Sequence, residues 1–316
     1  GTEALRNTTT GCDNTAVGRS AMCLNGSGSF NTAVGRVALR NNTCGCYNVA
    51  VGYNALVSTT EGCCNTGIGS NALYFNTTGS FNIAVGHQSL CSSLTASNNI
   101  GIGTRALFKT TTGTQNVGIG KSSLCVNTEG SCNTAIGYLV MNKNTTGEEN
   151  TAIGRGCIAS NTTGSNNIAI GRSALGSNTT ASNNTAVGKE ALTANTTGHS
   201  NVAVGTNTLI ANTTGTSNTA TGYYALGLLT TGSNNTAVGY EAAFNISTAD
   251  NNTAVGHHSL RANTTGGSNS AVGALALDAN TTGNSNVAIG VSSLGQNTEG
   301  FQNTSAGASS MGANTT

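Results

Sequence analysis

Asn14-Thr15-Ala16-Val17-Gly18 returns seventeen residues later as Asn31-Thr32-Ala33-Val34-Gly35, and again as Asn48-Val49-Ala50-Val51-Gly52. The glycine recurs at every seventeenth residue as far as Gly307. Gly18 to Gly307 spans 289 residues, seventeen intervals of seventeen, so eighteen copies run without an insertion or deletion. The unit reads N-[T/V/I]-[A/G]-[V/I]-G-x-x-[A/S]-L-x-x-N-T-T-G-x-x, and its positions are numbered 1 to 17 below, with Asn14 at position 1.

Such strict spacing is a physical statement. Surface loops accept insertions, whereas a coil stacked on identical neighbours cannot change length without breaking contacts above and below. A period of seventeen is too short for helix pairs and fits one turn of a β-solenoid. No apolar stripe of period 3.6 is present. The expected fold is all-β: a parallel β-solenoid, or β-roll, of about eighteen 17-residue coils. It forms one repeat-built domain over residues 1–316, with no linker and no capping domain. At ~4.8 Å per coil, the stack would be a rod on the order of 85 Å long.

Each position has its own constraint. Position 5 is always Gly, as expected where φ is positive or backbones meet. Position 1 is always Asn, suited to an amide ladder or a corner. Position 4 is Val or Ile in all copies but two (Thr221 and Ala306), and position 9 is mostly Leu. These two large residues are the expected core stripe. Position 3 is Ala or Gly, with Ser305 the exception. It points away from positions 2 and 4, and a strand apolar on both faces is normally covered on both. Tiny side chains there imply that a partner's backbone comes close. The expectation is side-by-side association of several chains through Ala16, Ala33, Ala50, Ala135, Ala152 and Ala186. The alternative is a solenoid so thin that only Ala fits inside, with positions 2 and 4 facing outward.

Composition narrows the function. Charged residues are 7% of the chain, aromatics 4%, Pro and Trp are absent, and the formal net charge is +1. That gives no field for nucleic acid or an acidic membrane, and no apolar run is long enough for membrane insertion. Gly118-Ile119-Gly120-Lys121-Ser122 and Gly101-Ile102-Gly103-Thr104-Arg105 mimic phosphate loops, but both are ordinary coils with no helix to follow. Four histidines and eleven carboxylates are scattered without a catalytic or metal pattern. No enzyme, metal or cofactor is expected.

Three surface features stand out. Position 6 carries Arg19, Arg36, Tyr53, Lys121, Arg155, Arg172 and Lys189, with His87, Tyr138, Tyr223, Tyr240 and His257. Stacking would make these a stripe of cations and rings able to hold anionic glycans; the plainer reading is a solvated face. Cys46 and Cys63 lie seventeen apart, hence ~4.8 Å apart on adjacent coils and within disulfide range. The ten cysteines favour an oxidising, extracellular setting. The N-T-T turns create Asn-x-Thr acceptors at Asn7, Asn76, Asn144, Asn161, Asn178, Asn195, Asn212, Asn263, Asn280 and Asn314, a potential row of N-glycans. The plainer reading is turn geometry.

The units Asn133-Thr134-Ala135-Ile136-Gly137 and Asn150-Thr151-Ala152-Ile153-Gly154, with the spacer Asn144-Thr145-Thr146-Gly147, resemble the A-I-G-x-x-A repeats of trimeric autotransporter adhesin heads. They resemble still more the N-T-A-[I/V]-G-x-x-A-L arrays of tail-fibre-type proteins. The resemblance implies a parallel β-roll, left-handed in adhesin heads, assembled as a homotrimeric extracellular stalk or fibre. Coils of seventeen are longer than those of adhesin heads, and neither a membrane anchor nor a tail-fibre chaperone domain is seen in this sequence. The expected role is therefore a structural extracellular fibre at a cell or virion surface. It would associate with itself, side by side and end to end, with an adhesive or display function. The alternative is a binding solenoid that orders water or ice with Thr rows, or holds glycans on the position-6 stripe.

Overall fold

The computed structural model describes residues 1–315 and is a parallel β-solenoid with no helix among them. The chain divides into two compact units, Gly1–Thr163 and Gly164–Thr316. The first holds nine three-residue strands, from β1 (Thr15–Val17) to β9 (Thr151–Ile153). The second holds nine more, from β10 (Ile168–Ile170) to β18 (Thr304–Ala306). In each unit every strand pairs in parallel with the next, and the partners are always seventeen apart, as in Ala33↔Ala50 and Ala186↔Ala203. A slip of one residue would turn the β-branched side chains inward, so the constant period is also the register.

Position 5 ends each strand. Gly52 has φ +137°, and a Cβ there would lie 2.7 Å from the carbonyl carbon and oxygen of Gly69 on the next coil. Both conditions exclude a side chain. Beyond it the chain forms a second wall that is bonded coil to coil without being a sheet. Positions 7 and 9 are left-handed, as in Val37 (φ 53°) and Leu39 (φ 49°). The Val37 N–H reaches back to Arg19 O at 2.9 Å, and the Leu39 N–H reaches forward to Ala55 O at 2.9 Å. A left-handed Leu costs about 1–2 kcal/mol; the axial bonds and burial of its side chain hold it there. Leu39, Leu56 and Leu192 are fully buried.

The interior lies between the two walls and is thin. Ala33, Ala50, Ala135, Ala152 and Ala186 have no solvent exposure within a single chain. Where position 3 is Gly67, a Cβ would lie 3.2 Å from Leu56 Cγ on the facing wall. The small side chains therefore make room for position 9 of the same chain, and the expected partner backbone is replaced by Leu. Ala33, Ala50, Ala135, Ala152 and Ala186 are core, not interface; Ala16 is half-buried. The outward residues are those of positions 2 and 4, with Val17, Ile102 and Ile170 exposed by 56%, 38% and 39%.

The remaining interior is polar. At position 1 the Asn201 Oδ1 accepts the Asn218 N–H at 3.0 Å and the Asn218 Nδ2 at 3.1 Å, and the arrangement recurs along each unit. Position 12 forms a second ladder: Asn212 Nδ2 donates to Asn195 Oδ1 at 2.9 Å. The two ladders converge on the position-15 carbonyl. Gly198 O accepts from Asn184 at 2.9 Å and from Asn195 at 2.8 Å. Buried amides are tolerated because each is hydrogen-bonded.

The second ladder is interrupted, and the interruptions show. Position 12 is Thr59 after Asn42, Ser93 after Asn76 and Leu229 after Asn212. The buried Oδ1 atoms of Asn42, Asn76 and Asn212 have no hydrogen-bond partner. Each orphan sits directly below a coil that cannot donate an amide.

Candidate functional site

Three outward surfaces are available, and the fold sets each. The first is the sheet face. Strand alternation sends positions 2 and 4 outward on every coil, giving two rows of Thr, Val and Ile at the ~4.8 Å strand spacing. Position 2 is Thr on β1, β9 and β18, and Ile168 on β10. No charged residue occupies either row from Thr15 to Ala306. Sequence reasoning placed these side chains inside. The size limit at position 3 fits a close partner or a narrow interior, and the structure has the second, the alternative given above.

The second surface is the position-6 row, which follows the Gly turn. Arg19, Arg36, Tyr53, Lys121, Arg155, Arg172 and Lys189 are all exposed. Stacking brings some of them together: the Arg36 guanidinium carbon lies 5.6 Å from the Tyr53 ring centre, and Lys121 Nζ lies 6.0 Å from that of Tyr138. Arg172 is ion-paired with Glu190 of position 7 on the next coil, so its charge is partly neutralised beside the row. In the second unit the row becomes aromatic. Tyr223 and Tyr240 stack at 5.4 Å, and Tyr240 and His257 stack at 5.5 Å. Their ring faces cover one another, which leaves edges to solvent.

Beside that stack, position 7 contributes Glu241 and His258. Glu241 Oε2 lies 2.7 Å from Arg261 Nε and 3.4 Å from His258 Nε2. Burial works against the Glu241 charge, but the hydrogen bond and charge of Arg261 outweigh it and hold the carboxyl below its ordinary range. His258 is pushed down, by burial first and then by His257 and Arg261. The Tyr240 hydroxyl is pushed up, chiefly by the Glu241 charge. This cluster is electrostatically self-contained, and no group of three metal-ligating side chains occurs among the described residues.

The third surface carries the turns. Cys46 and Cys63 stand on neighbouring coils as expected, but both are free thiols. Cys63 Sγ accepts the Cys46 N–H at 3.2 Å, the role that the Ser80 hydroxyl plays toward the Cys63 N–H at 3.0 Å. The thiols are thus rungs of a position-16 hydroxyl ladder and do not form the expected disulfide.

The acceptor asparagines differ most from expectation. Asn76, Asn144, Asn161, Asn178, Asn195, Asn212, Asn263 and Asn280 are fully buried. They are the position-12 ladder, with the amide nitrogen inside the coil; Asn144 Nδ2, for example, donates to Asn127 Oδ1 at 2.7 Å. A sugar on that nitrogen would have to leave the interior and break these bonds, so the turn could not close as it does. Asn7 is exposed, and Asn314 is half-buried with its amide on Asn297. The Asn of N-T-T-G is selected by the interior, and the turn geometry follows from it. No protein-family model matches this sequence, and comparison with curated proteins finds no match.

Proposed function

We propose that this chain is a non-catalytic structural protein, a fibre or stalk element at a cell or virion surface. Copies associate side by side through the flat face of positions 2 and 4. The observation that carries this reading is that face: uncharged, almost entirely β-branched, and half-buried to exposed on every coil. Parallel sheets are rarely left open on one side, and a contiguous apolar face of this kind is characteristic of an association surface. The repeat resemblance implies a homotrimer, in which these faces would turn inward. The position-6 row then stays outside, free to contact glycans. Light scattering is expected to give a multiple of the 31.3 kDa chain mass. Val187→Lys, Val204→Lys and Val238→Lys together should reduce it to one chain. A monomeric wild-type protein would overturn the reading.

The Thr hydroxyls of position 2 favour a second reading. On Thr185, Thr219, Thr236 and Thr253 they stand beside the β-branched side chains of position 4, at regular spacing on a rigid backbone. That surface suits ordered water or ice. Thermal hysteresis in a monomeric preparation, abolished by the same three lysines, would establish it in place of association.

A further inference from the structure

The repeat makes departures from it informative. At position 7 the residue changes freely from coil to coil: Ser, Val, Arg, Leu, Glu and Tyr all occur. Once only, three amides follow one another there: Asn54, Asn71 and Gln88. All three are left-handed, with φ of 57°, 58° and 56°, so their side chains leave the second wall in one direction, one above the other. Asn54 Nδ2 donates to Asn71 Oδ1 at 3.1 Å. That bond leaves the Asn54 oxygen, the Asn71 nitrogen and the Gln88 amide available. Unlike the interior ladders, this row contributes nothing to closing the coil.

On the middle coil of the three, Tyr74 and Phe75 stand beside the amides. Their ring centres are 4.6 Å apart and their planes meet at 79°. Phe75 is 48% exposed. The two rings make a corner, with Cys91 buried at its base. Together these six side chains line an open recess of about 290 Å³. That is near the lower end of the roughly 300–1,000 Å³ typical of small-molecule sites.

We propose that this recess is a binding site for a neutral sugar, one pyranose ring of an oligosaccharide. The chemistry is specific. Each hydroxyl of a sugar both donates and accepts, and an amide side chain is a neutral group that offers a separate donor and acceptor in fixed geometry. Two amides ~4.8 Å apart suit hydroxyls on alternate carbons of one ring, and the third reaches the neighbouring sugar of the chain. The carbon-bound hydrogens on a sugar face are apolar and pack on an aromatic ring, which the corner provides. No charged side chain lines the recess, and burial keeps the Cys91 thiol protonated by pushing its pKa up. A sulfated, phosphorylated or acidic sugar would enter without a counter-charge, at a desolvation cost. The site is thus separate from the position-6 row in both place and ligand class, and it does not depend on how the chains associate.

The test uses the full chain and the methyl glycosides of glucose, galactose, mannose and N-acetylglucosamine, with saturation-transfer NMR and calorimetry. At least one should bind, and sialic acid and glucose 6-sulfate should not bind more tightly. Phe75→Ala and Asn71→Gly should each weaken binding by at least about tenfold. Glycine suits the left-handed backbone at that position, so the second variant removes the amide without straining the coil. Both should keep the wild-type circular dichroism and melting temperature. The proposal is overturned if none of the four glycosides binds, if binding survives in both folded variants, or if the acidic sugars bind best. The last outcome would move the ligand to the position-6 cations.

Discussion

Asparagine is the residue on which this fold turns. A buried amide without partners costs about 1–3 kcal/mol, so an all-Asn column is stable only while each copy answers the next. The three orphaned oxygens mark where that fails. Thr59 separates Asn42 from Asn76, and its hydroxyl is 3.5 Å from Asn76 Nδ2. Thr59→Asn should donate to Asn42 Oδ1 and accept from Asn76, joining the isolated Asn76 to the Asn25–Asn42 pair. A gain of about 1 kcal/mol, read as a rise in denaturation midpoint at constant slope, is the expected outcome; a loss would show that the amide does not fit. The ladder at position 1 was legible in the sequence, because an invariant Asn in a stack leaves few alternatives. The second ladder was not. N-T-T-G is turn vocabulary, and the same letters describe an exposed glycan acceptor and an inward amide. Only the carbonyl of position 15, which meets both columns, separates the two.

A single coil shows why the face assignment in the sequence failed while the fold class succeeded. Period-two alternation says which residues share a face and leaves open which face is inside. Val and Ile at position 4 look like core, and Ala at position 3 looks like contact. The opposite holds because position 9 supplies one large side chain per coil and the walls are too close for a second. The left-handed residues of the second wall carry no sequence signature either: Leu is disfavoured there and is placed by burial. Coils also differ in their electrostatics. His258 titrates below its ordinary value of 6.5, so the folded state holds fewer protons than the unfolded chain and stability falls as pH drops through that value. The lowered Glu241 acts in the same direction at more acidic pH, below its ordinary 4.5. Asp278, raised by burial, works oppositely in that lower range. Between pH 7 and 5 the lowered His258 makes stability fall on acidification. His258→Asn, compatible with φ 55°, should therefore flatten the fall in melting temperature over that interval. An unchanged pH profile would refute the assignment.

For the molecule as a whole, the period matters more than the length. Each coil bonds to its neighbours and to little else, so stability is close to a sum of coil and interface contributions. Deleting Asn184–Ser200, one full period, should leave a folded protein with the same circular dichroism per residue and a modestly lower midpoint. Deleting sixteen of the same residues should disrupt the second unit, because every row beyond the cut moves to the wrong face. Equal tolerance of the two deletions would contradict the stacked architecture. The period and the β-solenoid could be read from the spacing of glycines alone. Which strand face points outward could not, since it depends on coil thickness, a property of the closed turn.

A polar interior has a thermal consequence. The heat capacity of unfolding rises with apolar area exposed and falls with polar area exposed. Here much of what unfolding uncovers is carboxamide, peptide and methyl, with position 9, mostly Leu, the main large apolar residue of a turn and no aromatic residue among the fully buried side chains of the described residues. The increment per residue should lie below the usual ~12–15 cal/mol/K. Stability as a function of temperature is then a broad, shallow dome, and cold unfolding retreats far below the freezing point of water.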